Sequence, residues 1–249
     1  MIEKGSDIMM IGTMNVQNKF YLKKYDGKTK KQDNILLLKE FLKKYQVDIL
    51  GMQEVTIWYY QRLEETLKGS YKVTGDFRLK THLFKKYNEA NPILTNQKII
   101  KEQTFFLPFL PTLIPRILTI NYLNTKEFGT ICFLNTHLSF ENKKVRKKQL
   151  KELLKYIKES NVPIILTGDF NMTIYNSLMK EFIKELAKLN ISRVPIMEKT
   201  FKTHTKERAI DHIFLSNCFK VKKYRVIKEE KLKCFSDHYP VLVEITKRS

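Results

Sequence analysis

Residues 163–172 read PIILTGDFNM, an apolar run that ends in the polar stretch Gly168–Asn171. The apolar part, Pro163–Leu166, predicts a buried β-strand. Gly, Asp and Asn form turns readily, so the polar part taken alone fits a simple turn as well as a functional site. Ligand and catalytic groups gather where strands end, because the scaffold there is rigid and the following loop can vary. The same arrangement recurs elsewhere in the chain.

Polar clusters follow several other predicted strands. Asn15 comes directly after the predicted strand Ile8–Met14. The pair Gln53-Glu54 comes directly after the predicted strand Val47–Met52. Three of the 8 aspartates of the chain belong to clusters of this kind. The remaining clusters are Asn135-Thr136-His137, Ile210-Asp211-His212-Ile213-Phe214 and Ser236-Asp237-His238-Tyr239-Pro240.

The clusters contain the residue types that bind a hard cation. Glu54, Asp169, Asn171 and Asp237 together offer oxygen ligands, which suit Mg²⁺ or Mn²⁺ and suit zinc or copper poorly. Such a metal would polarise a phosphoryl oxygen and offset charge on the leaving oxygen. We therefore predict a Mg²⁺ or Mn²⁺ cofactor.

His238 needs a carboxylate that orients its ring if it is to act in hydrolysis. Its neighbour Asp237 is poorly placed, because adjacent side chains on an extended strand point to opposite faces. Asp211 is the better candidate. Each cluster also has a structural interpretation: a solvated helix start for Gln53-Glu54, a polar strand face for Asn135–Leu138, and a surface pair for Asp237-His238. His204 and His212 are interpreted as structural.

Hydrophobic periodicity predicts an α/β protein with one domain over residues 1–249. The apolar segment Phe105–Pro115, which contains three prolines, is predicted to be a loop. Helices are predicted at Gln32–Tyr45, Asn142–Glu159 and Ser177–Lys188. The remaining predicted strands are Tyr71–Phe77, Pro92–Leu94, Gln103–Leu107, Ile117–Tyr122, Thr130–Leu134, Ile210–Leu215, Lys220–Ile227 and Val241–Ile245.

The formal net charge of +20 favours a polyanionic partner such as nucleic acid. The inference is weakened because only 8 of the 46 basic residues are Arg, the residue suited to bidentate phosphate binding. A skew toward Lys, Ile and Asn is what an AT-rich genome would produce without selection for binding. Charge alone therefore favours nucleic acid only modestly over other phosphate esters.

Cysteine usage and hydropathy bear on the cellular compartment. The 3 cysteines, Cys132, Cys218 and Cys234, lack C-x-x-C spacing, which disfavours a disulfide framework or a zinc site. The first ten residues lack the apolar stretch of a secretory signal, and no run is long enough to span a bilayer. We expect a cytoplasmic monomer, and no protein partner can be inferred.

Read in order, the clusters resemble the motif series of the endonuclease/exonuclease/phosphatase superfamily, and the match spans nearly the whole chain. The segments around Asn91, Thr104, Arg116 and Arg146-x-x-Gln149 are similar to a bacterial branch of it. The resemblance implies a DNase I-like four-layer α-β-β-α sandwich, with two mostly antiparallel sheets packed face to face and helices outside. It also implies hydrolysis of a phosphate ester by an activated water.

The resemblance also implies a role for individual residues. Asn15 and Glu54 would hold the metal, with Asp237 as a further or water-mediated ligand. Asp169 would orient the attacking water, and Asn171 would donate to a phosphoryl oxygen. His238, supported by Asp211, would act as general base or stabilise the phosphorane. His137 would contact the scissile phosphate from the opposite side, and Arg116 and Asn91 are candidate substrate-binding residues.

The superfamily acts on many substrates, so the fold does not identify this one. The stretch Arg208–His212 lacks the signature of inositol polyphosphate 5-phosphatases, and Met14-Asn15-Val16 departs from that of abasic-site nucleases. We expect a phosphodiesterase or nuclease acting on nucleic acid. The alternative is a lipid or small-molecule phosphoesterase, in which the Phe105–Pro115 loop touches a membrane or covers the ligand and its phenylalanines are exposed. A minor alternative is a relative that binds phosphate without turnover.

Overall fold

The structure is a computed structural model that describes residues 7–17, 31–79, 88–229, 232 and 236–248. Cys234 and the first six residues, which entered the sequence-based predictions, lie outside the described residues. Within the described part, the cysteines Cys132 and Cys218 are free thiols, the first buried and the second exposed.

The first of two large sheets contains the strand that ends at Asn15. Its central pair of strands is parallel and its other neighbouring strands are antiparallel. In spatial order it consists of β15 (Phe219–Val226), β16 (Val241–Lys247), β1 (Met9–Asn15), β2 (Ile49–Gln53), β6 (Ile93–Thr95) and β4 (Lys72–Thr74).

The second large sheet contains the strand that ends at Asp169. In spatial order it consists of β11 (Ile191–Arg193), β14 (Asp211–Ser216), β10 (Ile164–Asp169), β9 (Gly129–His137), β8 (Arg116–Thr125) and β7 (Lys98–Leu107). Only β9 and β10 pair in parallel. Two short ladders complete the strands, β3 (Val55–Thr56) with β5 (Glu89–Ala90) and β12 (Phe201–Lys202) with β13 (Glu207–Arg208).

The part of the chain that the structure describes contains four α-helices: α1 (Lys31–Tyr45), α2 (Ile57–Leu67), α3 (Lys143–Glu159) and α4 (Ser177–Lys188). A side-chain oxygen caps the start of three of them: Thr56 accepts from an N–H of α2, Asn142 from two of α3, and Asn176 from one of α4. Such caps satisfy N–H groups that have no partner within the helix.

Three apolar clusters show how the layers stack. Because side chains alternate along a strand, Met9 and Ile11 of β1 face the second sheet, whereas Met10 and Met14 face α1 and α2. A third cluster packs α3 and α4 against the outer face of the second sheet. The order helices, sheet, sheet, helices confirms the predicted four-layer sandwich.

Some element boundaries differ from the predictions. Strand β7 begins at Lys98, five residues before the predicted strand Gln103–Leu107, and ends at Leu107 as predicted. The first three residues of the predicted Phe105–Pro115 loop are therefore strand, held by pairing with β8. Helix α2 was not predicted, because its aromatic residues and its short length blur the helical pattern. No helix among the described residues is long and apolar enough to cross a membrane.

Candidate active site

The polar clusters meet at one edge of the two sheets. Asn15 lies opposite Gln53 at the ends of the parallel strands β1 and β2. On the second sheet, Asp169 lies opposite His137 of β9 and also opposite Asp211 of β14. Inter-strand pairing therefore brings together residues that are far apart in sequence.

The backbone at this edge is unusual. Glu54 directly follows the end of β2, and Asn171 lies two residues after the end of β10. Both have positive φ angles, of 58° and 52°. Gly168 has a φ of 155°, and a Cβ atom there would lie 2.1 Å from the carbonyl oxygen of Thr136. Left-handed backbone in non-glycine residues costs free energy and is concentrated at functional sites.

Asn15 lies between two carboxylates. Its Nδ2 donates to Glu54 Oε1 at 3.2 Å and to Asp169 Oδ2 at 3.1 Å, and its Oδ1 accepts from the backbone N–H of Gln17. Asp237 is near, because its Oδ2 accepts from Gln17 Nε2 at 3.3 Å. Three carboxylates thus converge around two amide side chains.

The donor set fits a divalent cation. Burial, and to a lesser degree the charge of Glu54, raises the pKa of Asp237. Burial also raises the pKa of Asp169, and Asp211 and Glu54 add to the increase. A cation would relieve this crowding of negative charge, and all the donors are hard oxygens of the kind that Mg²⁺ and Mn²⁺ prefer.

His238 pairs with Asp211 and not with its neighbour Asp237. Its Nδ1 lies 2.9 Å from Asp211 Oδ2, whereas its Nε2 lies 3.9 Å from Asp237 Oδ1. The Thr200 hydroxyl donates to Asp211 Oδ2 at 2.5 Å, and the ring of Phe201 packs on His238 with centroids 4.9 Å apart. These contacts fix the imidazole ring with Nε2 toward Asp169.

Charge at His238 is set by its acidic surroundings. Burial alone would lower the pKa of His238, but Asp211, Asp169 and Asp237 overcome that effect and raise the pKa to about 10. His238 Nε2 lies 3.6 Å from Asp169 Oδ2. Ligand atoms of Asp169, Asp211 and His238 all lie within 4.8 Å of one another. The short contact between His238 Nδ1 and Asp211 Oδ2 is that of a hydrogen-bonded pair.

His137 lies on the other side of Asp169, 3.6 Å from its Oδ2. Arg116 Nη1 lies 3.1 Å from His137 Nδ1, and Asn171 Nδ2 lies 3.0 Å from His137 Nε2. Burial, followed by the positive charges of Arg116, Arg78 and His238, lowers the pKa of His137 well below its ordinary value. The ring is therefore neutral, and because Arg116 can only donate, Nδ1 accepts and Nε2 carries the proton.

Asn91 differs from the other predicted site residues, because its side chain bonds to the backbone and not to another of them. It is buried, and its Nδ2 donates to the backbone carbonyl of Ile117 at 3.1 Å. Its backbone carbonyl accepts from Asn135, so Asn91 contributes to the contact between the sheets. Substrate binding by Asn91 stays a prediction.

Several residues of the site were not found from sequence. Thr200 supports Asp211 from 11 residues away, and no motif marks it. Arg78 forms a buried ion pair with Glu89 at 2.8 Å, on the short ladder that follows Glu54. Gln53 and Asn135 lie within noted motifs, but only the structure reveals their hydrogen bond of 2.7 Å between the two sheets.

Comparison with known proteins agrees with this geometry. The family model described as the endonuclease/exonuclease/phosphatase family matches residues 12–238.

The chain belongs to the endonuclease/exonuclease/phosphatase family.

A search of curated proteins found no match.

Solved structures of the family share the fold at low sequence identity. A family member from Bacteroides thetaiotaomicron is 24% identical with a TM-score of 0.78, covering 97% of this chain and 98% of its own. A mannosyl-6-phosphatase from the same organism is 23% identical with a TM-score of 0.76, covering 96% and 99%. D. rerio TDP2, complexed with single strand DNA product, is 20% identical with a TM-score of 0.72, covering 96% and 99%.

Proposed function

We propose that the protein is a divalent-metal-dependent phosphoesterase that cleaves a phosphate ester with an activated water, through a catalytic domain that spans residues 1–249. The observation that carries the proposal is the position of Asp169, which lies between His137 and His238 and shares an amide donor with Glu54. A carboxylate in that position can orient a water toward a phosphorus atom held between the two histidines.

Asn15, Glu54 and Asp237 would hold the metal, which we expect to be Mg²⁺ or Mn²⁺. A cation bound there would polarise a phosphoryl oxygen and offset charge on the leaving oxygen. Asn15 would bind the cation through its amide oxygen. Its Nδ2 would then no longer donate to the carboxylates of Glu54 and Asp169, as it does in this structure.

Asp169 and His238 divide the proton chemistry by their pKa shifts. Asp169, with its raised pKa, is suited to accept a proton from the attacking water near neutral pH. His238, with a pKa of about 10, is positively charged and stabilises negative charge that builds up on the phosphoryl oxygens. This division favours the stabilising role for His238 over that of general base.

His137, Asn171 and Arg116 act on the opposite side of the phosphate. The tautomer with the proton on Nε2 puts two N–H donors, those of His137 and Asn171, side by side at 3.0 Å. An anionic oxygen would satisfy both donors. Arg116 adds positive charge behind His137, and a direct contact between Arg116 and a second substrate phosphate is part of the proposal.

For the substrate, we propose nucleic acid as the first candidate. The net charge of +20 and the likeness to TDP2, which is complexed with single strand DNA product, support this choice. The residues of the proposed mechanism are all retained, which makes a binding-only relative the least favoured candidate.

A lipid or small-molecule phosphoester is the second candidate. It is favoured by the exposure of the Phe105–Pro115 segment, in which Phe106, Leu110 and Leu113 are exposed and Phe105 and Phe109 are half-buried. The likeness to a mannosyl-6-phosphatase also supports a substrate outside nucleic acid.

Hydrolysis by the purified protein tests the proposal. The substrates are single-stranded and duplex DNA, RNA, sphingomyelin, phosphoinositides and a sugar phosphate, each with Mg²⁺ or Mn²⁺ and with chelator. We expect chelator-sensitive cleavage of one class, with nucleic acid cleaved fastest. Metal binding without cleavage of any substrate in the panel would contradict the proposed substrate classes, and absence of metal binding would contradict the mechanism.

A further inference from the structure

The proline-rich loop between β7 and β8 carries exposed aliphatic side chains. Leu110 is 69% exposed and Leu113 is 94% exposed, in a stretch with no charged residue between Leu107 and Arg116. The loop has defined structure, because Thr112 N–H donates to Phe109 O and the prolines at positions 108, 111 and 115 restrict the backbone. Exposing large apolar side chains to water on a constrained loop is unfavourable in free energy. Binding of the loop to an apolar partner would remove that unfavourable exposure.

A third exposed apolar residue, Phe140, lies next to this loop at 62% exposure. Gln149 of α3 joins the two segments, because its Nε2 donates to Pro108 O at 3.0 Å and its Oε1 accepts from Ser139 N–H at 2.9 Å. Arg146 Nη1 donates to the carbonyl oxygens of Ser139 and Phe140. The loop, Phe140 and the first half of α3 therefore form one connected surface.

This surface is close in sequence to two residues of the candidate active site. Leu113 is three residues before Arg116, Phe140 is three residues after His137, and Arg116 and His137 are in contact at 3.1 Å. Three residues of extended chain span at most about 11 Å. Both apolar tips thus lie within a short distance of the proposed catalytic residues.

Helix α3 adds concentrated positive charge beside the apolar tips. Its seven lysines fall within an arc of about 140° at about 100° per residue, and the buried residues occupy the other side. Lys143, Lys144, Lys147 and Lys148 are exposed in the first two turns, and the first turn has no acidic residue. Glu141, just before the helix, is the nearest acid in sequence, and its carboxylate accepts from the Ser139 hydroxyl.

The ratio of lysine to glutamate differs between α3 and α4, since α3 has seven lysines with Glu152 and Glu159. Like charges at i and i+4 repel, and cations in the first turn oppose the helix dipole, so the arrangement lowers the stability of α3. In α4, by contrast, Lys180, Lys184 and Lys188 alternate with Glu181 and Glu185. A codon bias toward Lys would act on both helices alike, so the concentration on α3 indicates a specific polyanionic partner.

We propose that Leu110, Leu113 and Phe140, together with Lys143, Lys144, Lys147 and Lys148, form a docking surface for an anionic phospholipid membrane. The apolar tips insert at the level of the headgroups, and the lysines contact lipid phosphates and carboxylates. Docking would bring the candidate active site close to the membrane. The inference goes beyond the proposed function, because binding to a membrane requires neither metal nor turnover.

The lysines complement a membrane and nucleic acid alike, and the type of the apolar side chains favours a membrane as the occupant. Single-stranded nucleic acid binds by stacking its bases on aromatic rings. The two most exposed apolar residues of this surface, Leu110 and Leu113, are aliphatic and cannot stack on bases. They are suited to insertion among acyl chains.

Co-sedimentation with vesicles tests the docking surface. The vesicles contain phosphatidylcholine alone or about one part phosphatidylserine to two of phosphatidylcholine, and chelator is present throughout, so the result does not depend on hydrolysis. We expect binding only to the anionic vesicles, with affinity lowered by salt. The double substitution Leu110→Ser and Leu113→Ser should reduce binding at least about ten-fold, and Lys144→Ala with Lys148→Ala by about ten-fold or more.

Matched controls are exposed residues elsewhere: Ile100→Ser with Leu36→Ser for the apolar residues, and Lys180→Ala with Lys184→Ala for the lysines. The controls should bind like the wild type. Absence of binding at low salt, or an equal loss in the control variants, would overturn the proposal. A second pair of results would also overturn the proposal: the lysine variant loses affinity for a single-stranded oligonucleotide, and the leucine variant keeps full binding to vesicles. The surface would then bind nucleic acid and not a membrane.

Discussion

At the scale of single residues, two histidines on either side of Asp169 have opposite pKa shifts. Both are buried, yet the pKa of His238 is raised by the carboxylates around it and that of His137 is lowered by burial and by neighbouring cations. The difference lies in the partners, since Asp211 accepts from His238 whereas Arg116 can only donate to His137. One residue type therefore serves as a cation in one position and as a neutral donor in the other.

Asp169→Asn tests the proposed role of the central carboxylate. The change preserves volume and removes the proton acceptor, so we expect kcat to fall by at least about a thousand-fold while the fold is retained. Activity on the substrate identified in the panel and the circular dichroism spectrum are the measurements. Asp76→Asn, at an exposed position, is the control and should keep full activity. Near-normal turnover in Asp169→Asn would refute the mechanism.

His212 predicts a dependence of stability on pH. Its Nε2 donates to Met172 O at 2.7 Å, and burial lowers its pKa from 6.5 to about 4. Between these values the unfolded chain binds a proton that the folded chain does not, so stability falls as pH drops below 6.5. The loss between about pH 7.5 and about pH 5 should be about 2 kcal/mol.

Urea unfolding of the wild type, His212→Gln and the exposed control His204→Gln measures this effect. Neutral Gln should cost some stability at neutral pH and should remove about 2 kcal/mol of the pH-dependent loss. The control His204→Gln should lose as much stability as the wild type when the pH is lowered. An unchanged pH dependence in His212→Gln would show that His212 does not carry it.

At the scale of elements, a buried polar network joins the two sheets below the site. Asn135 of β9 donates to the carbonyl oxygens of Met52, Asn91 and Pro92 across the interface. Its Oδ1 accepts from Gln53 Nε2 and from the Thr167 hydroxyl. The strands that end at Gln53 and His137 are thereby held at a defined separation.

Asn135→Ala should remove these contacts and leave buried polar groups without partners. We expect the free energy of unfolding to fall by about 2–4 kcal/mol, and kcat to fall by about ten-fold or more, because the site residues on the two sheets are less well aligned. Chemical unfolding and steady-state kinetics measure the two effects.

Asn121→Ala is the matched control, since Asn121 is also buried and its side chain donates to Thr74 Oγ1 at 2.7 Å. Asn121→Ala should lower the free energy of unfolding by about 1 kcal/mol and leave kcat unchanged. Equal effects of the two substitutions would argue against a positioning role for Asn135.

At the scale of the whole molecule, the proposed metal site draws ligands from both ends of the chain. Asn15 and Asp237 are linked through Gln17, although more than 200 residues separate them. A cation held by such ligands binds the folded chain and not the unfolded one, so it stabilises the entire fold. Metal binding should therefore be measurable without any substrate.

Mg²⁺ or Mn²⁺ at about one hundred times its Kd should stabilise the protein by about 2.7 kcal/mol and raise the melting temperature by about 5–10 °C. Glu54→Gln should lose most of this increase, because it removes one ligand charge. Glu65→Gln, on the exposed face of α2, should retain it. A melting temperature of the wild type that does not respond to either metal would contradict the metal site.

Much of the fold, and the edge at which the residues of the candidate site lie together, could be predicted from the sequence. Apolar runs that end in Asn15, Glu54, His137 and Asp169 indicated both the strands and the edge at which they meet, because alternation and strand-end chemistry are local properties. The order of the clusters along the chain was sufficient to indicate the family. Helix α2 and the start of β7 were missed, since their local patterns are weak and tertiary packing determines them.

Other properties were decided only by the tertiary structure. Burial and long-range charges gave His137 and His238 opposite protonation, and contact across the second sheet brought Arg116 to His137. The exposure of Leu110 and Leu113 beside the lysines of α3 likewise depends on Gln149, which joins segments 41 residues apart. Sequence pattern determines which residues form strands and strand ends, but electric fields and solvent exposure arise from neighbours that only folding brings together.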